Sequence, residues 1–114
     1  MAISFYQKKA INSIKNIDNI CYISIASIWE MAIKLSLGKL ELNLPFEKIA
    51  YILSDNQIGV LPITLNHINK LLNLNFHHRD PFDRIIISQA LSEKLTILSK
   101  DEEFKKYKVK IEWE

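Results

Sequence analysis

Carboxylates are the residues of this chain whose type and spacing first suggest chemistry. Of its five aspartates, Asp80, Asp83 and Asp101 stand at the starts of segments with regular apolar spacing, and Glu30 lies in another such segment. Carboxylates brought together repel one another, so a site that keeps them close usually holds a divalent cation. Oxygen ligands without Cys or His favour Mg²⁺ or Mn²⁺ over zinc. Such a cluster supports phosphodiester hydrolysis, because the metal lowers the pKa of an attacking water and offsets the charge growing on the phosphate. Each carboxylate also has a purely structural reading. Ser27-Ile-Trp-Glu30 fits a capping box, in which Glu30 satisfies a free N–H at a helix start. Asp80 before Pro81 fits an N-cap followed by a first-turn proline, with Asp83 placed to favour the positive end of the helix dipole. Asp101 can cap the helix that follows it.

Other side chains supplement the acidic set. Lys34 and Arg84 are the preferred phosphate contacts, with Lys39 and Lys100 also near the acidic segments. His77 and His78 beside Arg79 either touch phosphate or lie in a loop; with His67 far away and no nearby cysteine, a zinc site has no support. Trp29 and Phe82 each precede an acidic residue, and read as core packing with base stacking as the alternative. Ser27 and Ser99 have no companions for covalent catalysis.

The elements that must position these residues follow from the changing apolar period. Residues 4 to 17 place Phe5, Ala10, Ile11, Ile14 and Ile17 at helical spacing, and residues 20 to 24 read as a short strand. A helix from about Ser27 ends at Gly38, whose missing Cβ suits a left-handed turn. Pro45 opens the next helix, with Ile49, Ala50, Ile52 and Leu53 as its inner face, before a strand from Gly59 to Ile63. Thr64 caps a helix through Ile68, Leu71 and Leu72, and Asp80-Pro81 opens another carrying Ile85, Ile86, Ile87, Ala90 and Leu91. A strand from Leu95 to Ser99, a helix over 101 to 107 and a strand from Val109 to Trp113 complete the pattern. Strands alternating with helices indicate an α/β protein with a mainly parallel sheet, in which chemistry collects beyond the strands' C-terminal ends. Glu30, Asp80, Asp83 and Asp101 are all expected at that edge.

Composition agrees. Hydrophobic residues are 48% and charged residues 25%, and 15 Lys plus Arg against 13 Asp plus Glu leave a net charge of +2, so a strongly basic coat is absent. The 114 residues, with no visible boundary or repeat, suit one domain. One cysteine, Cys21, excludes an internal disulfide and points to a reduced, cytoplasmic setting. No apolar run is long enough to span a membrane, and the start resembles no signal peptide; Lys8, Lys9 and Lys15 opposite Phe5, Ile11 and Ile14 suit a soluble amphipathic helix better than a membrane-surface one.

Three segments together carry a resemblance. S-I-A-S-I-W-E-M-A-I-K at 24–34 with L-G-K-L at 37–40, H-H-R-D-P-F-D-R-I-I-I-S-Q-A at 77–90, and L-T-I-L-S-K-D-E-E-F at 95–104 resemble, in order and spacing, the PIN domain of VapC-type toxins. The resemblance runs from about residue 8 to the C-terminus, and H-R-D-P-F-D-R is its most specific part. It implies a three-layer α/β/α fold and a Mg²⁺-dependent (or Mn²⁺-dependent) single-strand endoribonuclease, the toxin of a toxin–antitoxin pair. Carried over by motif, Glu30, Asp83 and Asp101 are the catalytic and metal-binding carboxylates, and Asp80, which matches a further acidic position of the motif, joins them as a metal-site residue.

The family's first strand, central in its sheet and ending in an aspartate, has no counterpart in the residues before Lys8. The resemblance therefore implies a PIN-like domain over 1–114 that is incomplete at its N-terminus, with one metal ligand missing and activity impaired. The two strands flanking the absent one would expose unpaired edges, which are templates for pairing. A homodimer is then expected, with an antitoxin as a further partner. The alternative function is a nuclease-dead remnant that binds antitoxin or RNA.

Overall fold

A computed structural model describes residues 4–6, 20–75, 80–98 and 111–112. The chain enters as strand β1 (Ser4–Tyr6), and β2 (Cys21–Ser24) leads directly into helix α1 (Ile25–Ser36). A single 3₁₀ turn over Phe46–Lys48 continues as α2 (Ile49–Asp55), followed by β3 (Ile58–Leu61), α3 (Leu65–Leu72), α4 (Pro81–Glu93), β4 (Thr96–Leu98) and β5 (Ile111–Glu112). The five strands form one sheet in the order β3-β2-β1-β4-β5. β2 pairs in parallel with β3, from Cys21↔Ile58 to Ser24↔Leu61, and β4 pairs in parallel with β5. β1 is antiparallel to both of its neighbours, so four of the five strands share one direction. This is the mixed α/β architecture with a mainly parallel sheet that the alternating pattern predicts.

The N-terminus departs from expectation. Ser4–Tyr6 is strand rather than the start of a helix, and it occupies the centre of the sheet, the position expected to be lacking a strand. Helical spacing of apolar residues is here overridden by two ladders: Phe5↔Tyr22 and Tyr6↔Cys21 on one side, Ser4↔Leu98 to Tyr6↔Thr96 on the other. An element paired on both sides leaves neither β2 nor β4 as an open edge there, which removes the reason first given for a second copy. Its pairing covers Cys21 and Tyr22 only, stopping short of Ile23 and Ser24. The rest of the segment expected to be helical, and the helix expected over 101 to 107, lie outside the described residues.

The core gathers around α4. Ile85, Ile86, Ile87, Ala90, Leu95 and Ile97 are buried with Ala26 of α1, and Leu61, Ile63, Leu71, Leu74 and Phe82 pack against them. Six consecutive α4 residues, Ile85 to Ala90, are buried, as expected of a helix covered on several sides. α3 is stitched to α4 at both ends. His67 Nε2 lies 2.9 Å from Glu93 Oε2, and Arg84 donates to the carbonyls of Asn75 (3.1 Å) and Leu74 (3.5 Å). Thr64 caps α3 as expected, its hydroxyl accepting from the N–H of His67 while its own N–H donates to His67 Nδ1. The inner face of α3 is therefore His67 and Leu71; Leu65 and Leu72 stand outside, and Ile68 is partly exposed. Ala50 and Ile52 of α2 are likewise exposed instead of facing inward.

Both glycines stand where a side chain meets an obstacle, one of backbone conformation and one of space. Gly38, at φ +69°, follows α1 in a left-handed turn in which its N–H donates to Leu35 O and that of Lys39 to Lys34 O. At Gly59 a Cβ would lie 3.0 Å from the Tyr22 ring across the β2–β3 ladder.

Candidate active site

The site is built from two helix starts. α1 begins at Ser24, whose Oγ accepts from the N–H of Ala26 at 3.0 Å. Ser27 is thus inside the helix and buried, and the capping box expected from Ser27 to Glu30 does not form. Ser24 is selected as the cap because its hydroxyl also donates to Gln89 Oε1 on α4, while Gln89 Nε2 donates to the carbonyls of Leu61 and Pro62, both at 3.2 Å. One fully buried amide therefore joins the end of β2, the end of β3 and the middle of α4. Sequence reasoning missed Gln89; its signal was a large polar residue, beside Ser88, between the apolar Ile85–Ile87 and Ala90–Leu91 of one helix.

α4 begins at Asp80, whose Oδ1 accepts from the N–H groups of Phe82 (2.9 Å) and Asp83 (3.2 Å), with Pro81 in the first turn. Asp83 sits in that first turn and is buried, only 4% exposed. Glu30, freed from a capping role, lies in the second turn of α1 with its side chain 13% exposed. Its Oε2 is 3.8 Å from Lys34 Nζ, and its Oε1 is buried without a hydrogen bond among the described residues. Burial pushes the Glu30 carboxyl above its ordinary range; Lys34 pulls it down, and the negative charges of Asp80 and Asp83 push it up again. Glu30 and the two aspartates of α4 are thus electrostatic neighbours.

The aromatic residues preceding the two buried carboxylates also meet. The Trp29 and Phe82 rings have centroids 5.0 Å apart at 78°, an edge contact between α1 and α4. Core packing, the first reading for both, does not describe Trp29, which is 59% exposed. Lys34 is partly exposed beside Glu30, whereas Arg84 holds the chain after α3. Asp101, His77, His78, Ser99 and Lys100 lie outside the described residues. His67 is a buried structural residue of α3.

The mixed α/β fold thus brings carboxylates of α1 and α4 near one another at the edge where such sheets gather their chemistry. A family model described as the PIN domain matches residues 3–110, and the chain belongs to that family. No curated protein and no solved structure matches the chain significantly.

Membership implies a nuclease-type function, and PIN domains generally use divalent metal ions. The residues suit such an ion. A buried carboxylate oxygen without a hydrogen bond, on a side chain whose charge is opposed by two neighbouring carboxylates, is what a hard cation would relieve. Among the described residues no three His, Cys, Asp or Glu side chains form a ligand group. Mg²⁺ binds well to one or two carboxylates with water completing its shell. Among the described residues no helix is long and apolar enough to cross a membrane.

Proposed function

We propose that the chain is a metal-dependent endoribonuclease of the VapC toxin type, acting on single-stranded RNA. The observation that carries this reading is the buried, unbonded Oε1 of Glu30 beside the charges of Asp80 and Asp83. Glu30 and Asp83 would hold Mg²⁺ or Mn²⁺, with Asp101 as a third ligand. When bound, the ion would activate water and offset charge on the scissile phosphate. Asp80 keeps α4 in place and adds negative charge to the site, while Lys34 is the nearby cation suited to a phosphate. Arg84 keeps a role toward RNA only if its bonds to Leu74 and Asn75 open.

Turnover should be slow. The strand at the centre of the sheet, Ser4-Phe5-Tyr6, contains no carboxylate, so the aspartate that the family resemblance places at the end of that strand is not supplied by it. The setting is the cytoplasm, where Cys21, buried and with its thiol pushed up by that burial, remains an unreactive reduced residue. Antitoxin binding and homodimerisation are the partner expectations, and the exposed Leu65 and Leu72 of α3 provide apolar surface for a protein contact.

The test is cleavage of a labelled single-stranded RNA by the purified protein across a Mn²⁺ titration, with thermal melting in parallel. Asp83→Asn should lower cleavage by at least about a hundredfold, the scale lost with an interaction made in the transition state. Mn²⁺ should raise the melting temperature of the parent and not of the variant. Absence of both cleavage and a Mn²⁺-dependent melting shift would remove the metallonuclease reading.

A further inference from the structure

Trp29 is the exposed aromatic residue whose surroundings say what it is for. At 59% exposure it leaves on the order of 100 Å² of indole in water, an unfavourable arrangement for the largest apolar side chain. The ring is not loose, because the edge contact with Phe82 at 5.0 Å and 78° fixes its orientation. Both rings belong to residues that immediately precede a carboxylate, the partly buried Glu30 on α1 and the buried Asp83 on α4. Consecutive helix residues do not face one another, so Trp29 flanks the Glu30 carboxylate without covering it. Ile25, one turn earlier and 38% exposed, continues the apolar surface, while Lys34 stands one turn beyond Glu30.

We propose that Trp29, braced by Phe82, is the stacking platform for a base of single-stranded nucleic acid, next to the phosphate directed to Glu30 and Asp83. The inference rests on the nuclease reading of those carboxylates and adds a contact to the base. A fixed aromatic surface, a carboxylate pair suited to a cation that bridges phosphate, and a lysine side by side match the parts of one nucleotide. An apolar peptide would use the indole and leave the carboxylates unused. Stacking is tolerant of sequence because every base has a π-face, so the platform gives affinity with little selectivity among bases.

The experiment follows Trp29 fluorescence in a Trp113→Phe background, with EDTA present so that nothing is cleaved. The probes are hexaadenylate and an abasic oligonucleotide of the same length. Hexaadenylate should quench saturably, and the abasic chain should bind about 5- to 150-fold more weakly, the range for loss of one stacked base. Measured by anisotropy with labelled probes, Trp29→Ala should bind hexaadenylate as weakly as the parent binds the abasic chain, and Trp29→Phe should recover most of the loss. The abasic comparison uses the parent chain, so it remains decisive if a variant folds poorly. Equal binding of the two probes to the parent, or no quenching at all, would overturn the platform and leave Trp29 to a protein contact. Stacking without Mn²⁺-dependent cleavage would remove the nuclease reading alone, whereas Asp83-dependent cleavage with equal probe binding would remove the platform alone.

Discussion

The starts of α1 and α4 look alike and work differently. Both are capped by an oxygen-bearing side chain, and both place a buried or nearly buried carboxylate beside the other. In α4 the buried carboxylate of Asp83 is in the first turn, where the helix dipole favours negative charge. In α1 the carboxylate is in the second turn, beyond that help, and Glu30 keeps a buried oxygen with no hydrogen bond. The same pair of charges therefore has one member placed where its helix favours charge and one placed where it does not. Helix position favours charge at Asp83 and not at Glu30, and a cation would relieve Glu30.

The strongest way to break the comparison is to cut the link between the two helix starts. Gln89→Ala would leave the Ser24 hydroxyl and the carbonyls of Leu61 and Pro62 without their buried partner and open a cavity beneath both helices. The expected loss is about 2–4 kcal/mol in urea denaturation. Gln89→Glu should be nearly as damaging, because a carboxylate cannot donate to the two carbonyls. A Ser24→Ala, Gln89→Ala double-mutant cycle should show coupling, on the scale of about 0.5–3 kcal/mol for groups in one network. An additive result would mean that Gln89 does not set the start of α1.

A smaller effect separates the two aspartates of α4. Asp80→Ala removes the acceptor for two N–H groups and should cost about 1 kcal/mol, lowering the melting temperature by roughly 4–8 °C. Asp80→Asn keeps an acceptor and should recover most of that stability. If Asp80 serves the site mainly by holding α4, both variants should retain cleavage within about tenfold of the parent, far from the loss expected for Asp83→Asn. Loss of cleavage in stable Asp80→Asn would place Asp80 among the ligands instead.

Legibility in the sequence followed the same division between local and distant causes. α4 was readable because its start signal, Asp80-Pro81, and its apolar run are contiguous, and Thr64 and Gly38 announced their helix ends in the same way. The start of α1 was misplaced by one turn because Ser24 and Ser27 are both acceptable caps; Gln89, 65 residues away, decides between them. The strand at Ser4–Tyr6 depends on ladders to β2 and β4 and has no local signature beyond two aromatic residues. Periodicity also reads polarity and not partners. It assigned Leu72 to the inner face of α3, where His67, satisfied by Thr64 and Glu93, is the buried residue. Of the site, the Glu30 and Asp83 positions were legible as residue types, but their proximity required the fold.

The smallest effect is the most direct measure of the cost at Glu30. Burial raises its carboxyl above the ordinary value of 4.5, so between that value and the raised one the folded state binds more protons than the unfolded state. Stability associated with the protonated carboxyl is fully present below the ordinary value and is lost as pH rises through the raised one. Glu30→Gln removes this titration, so its stability relative to the parent should increase across that window and then level off. The gain should be the smallest of these effects, because the side chain retains some solvent contact and the long ion pair to the half-exposed Lys34 contributes little in return. Melting curves from pH 4 to 8 in EDTA would measure it. Repeating them with Mn²⁺ supplies the contrast with an ordinary buried charge: a cation held by the parent should shrink or reverse the advantage, whereas a purely structural burden would leave it unchanged.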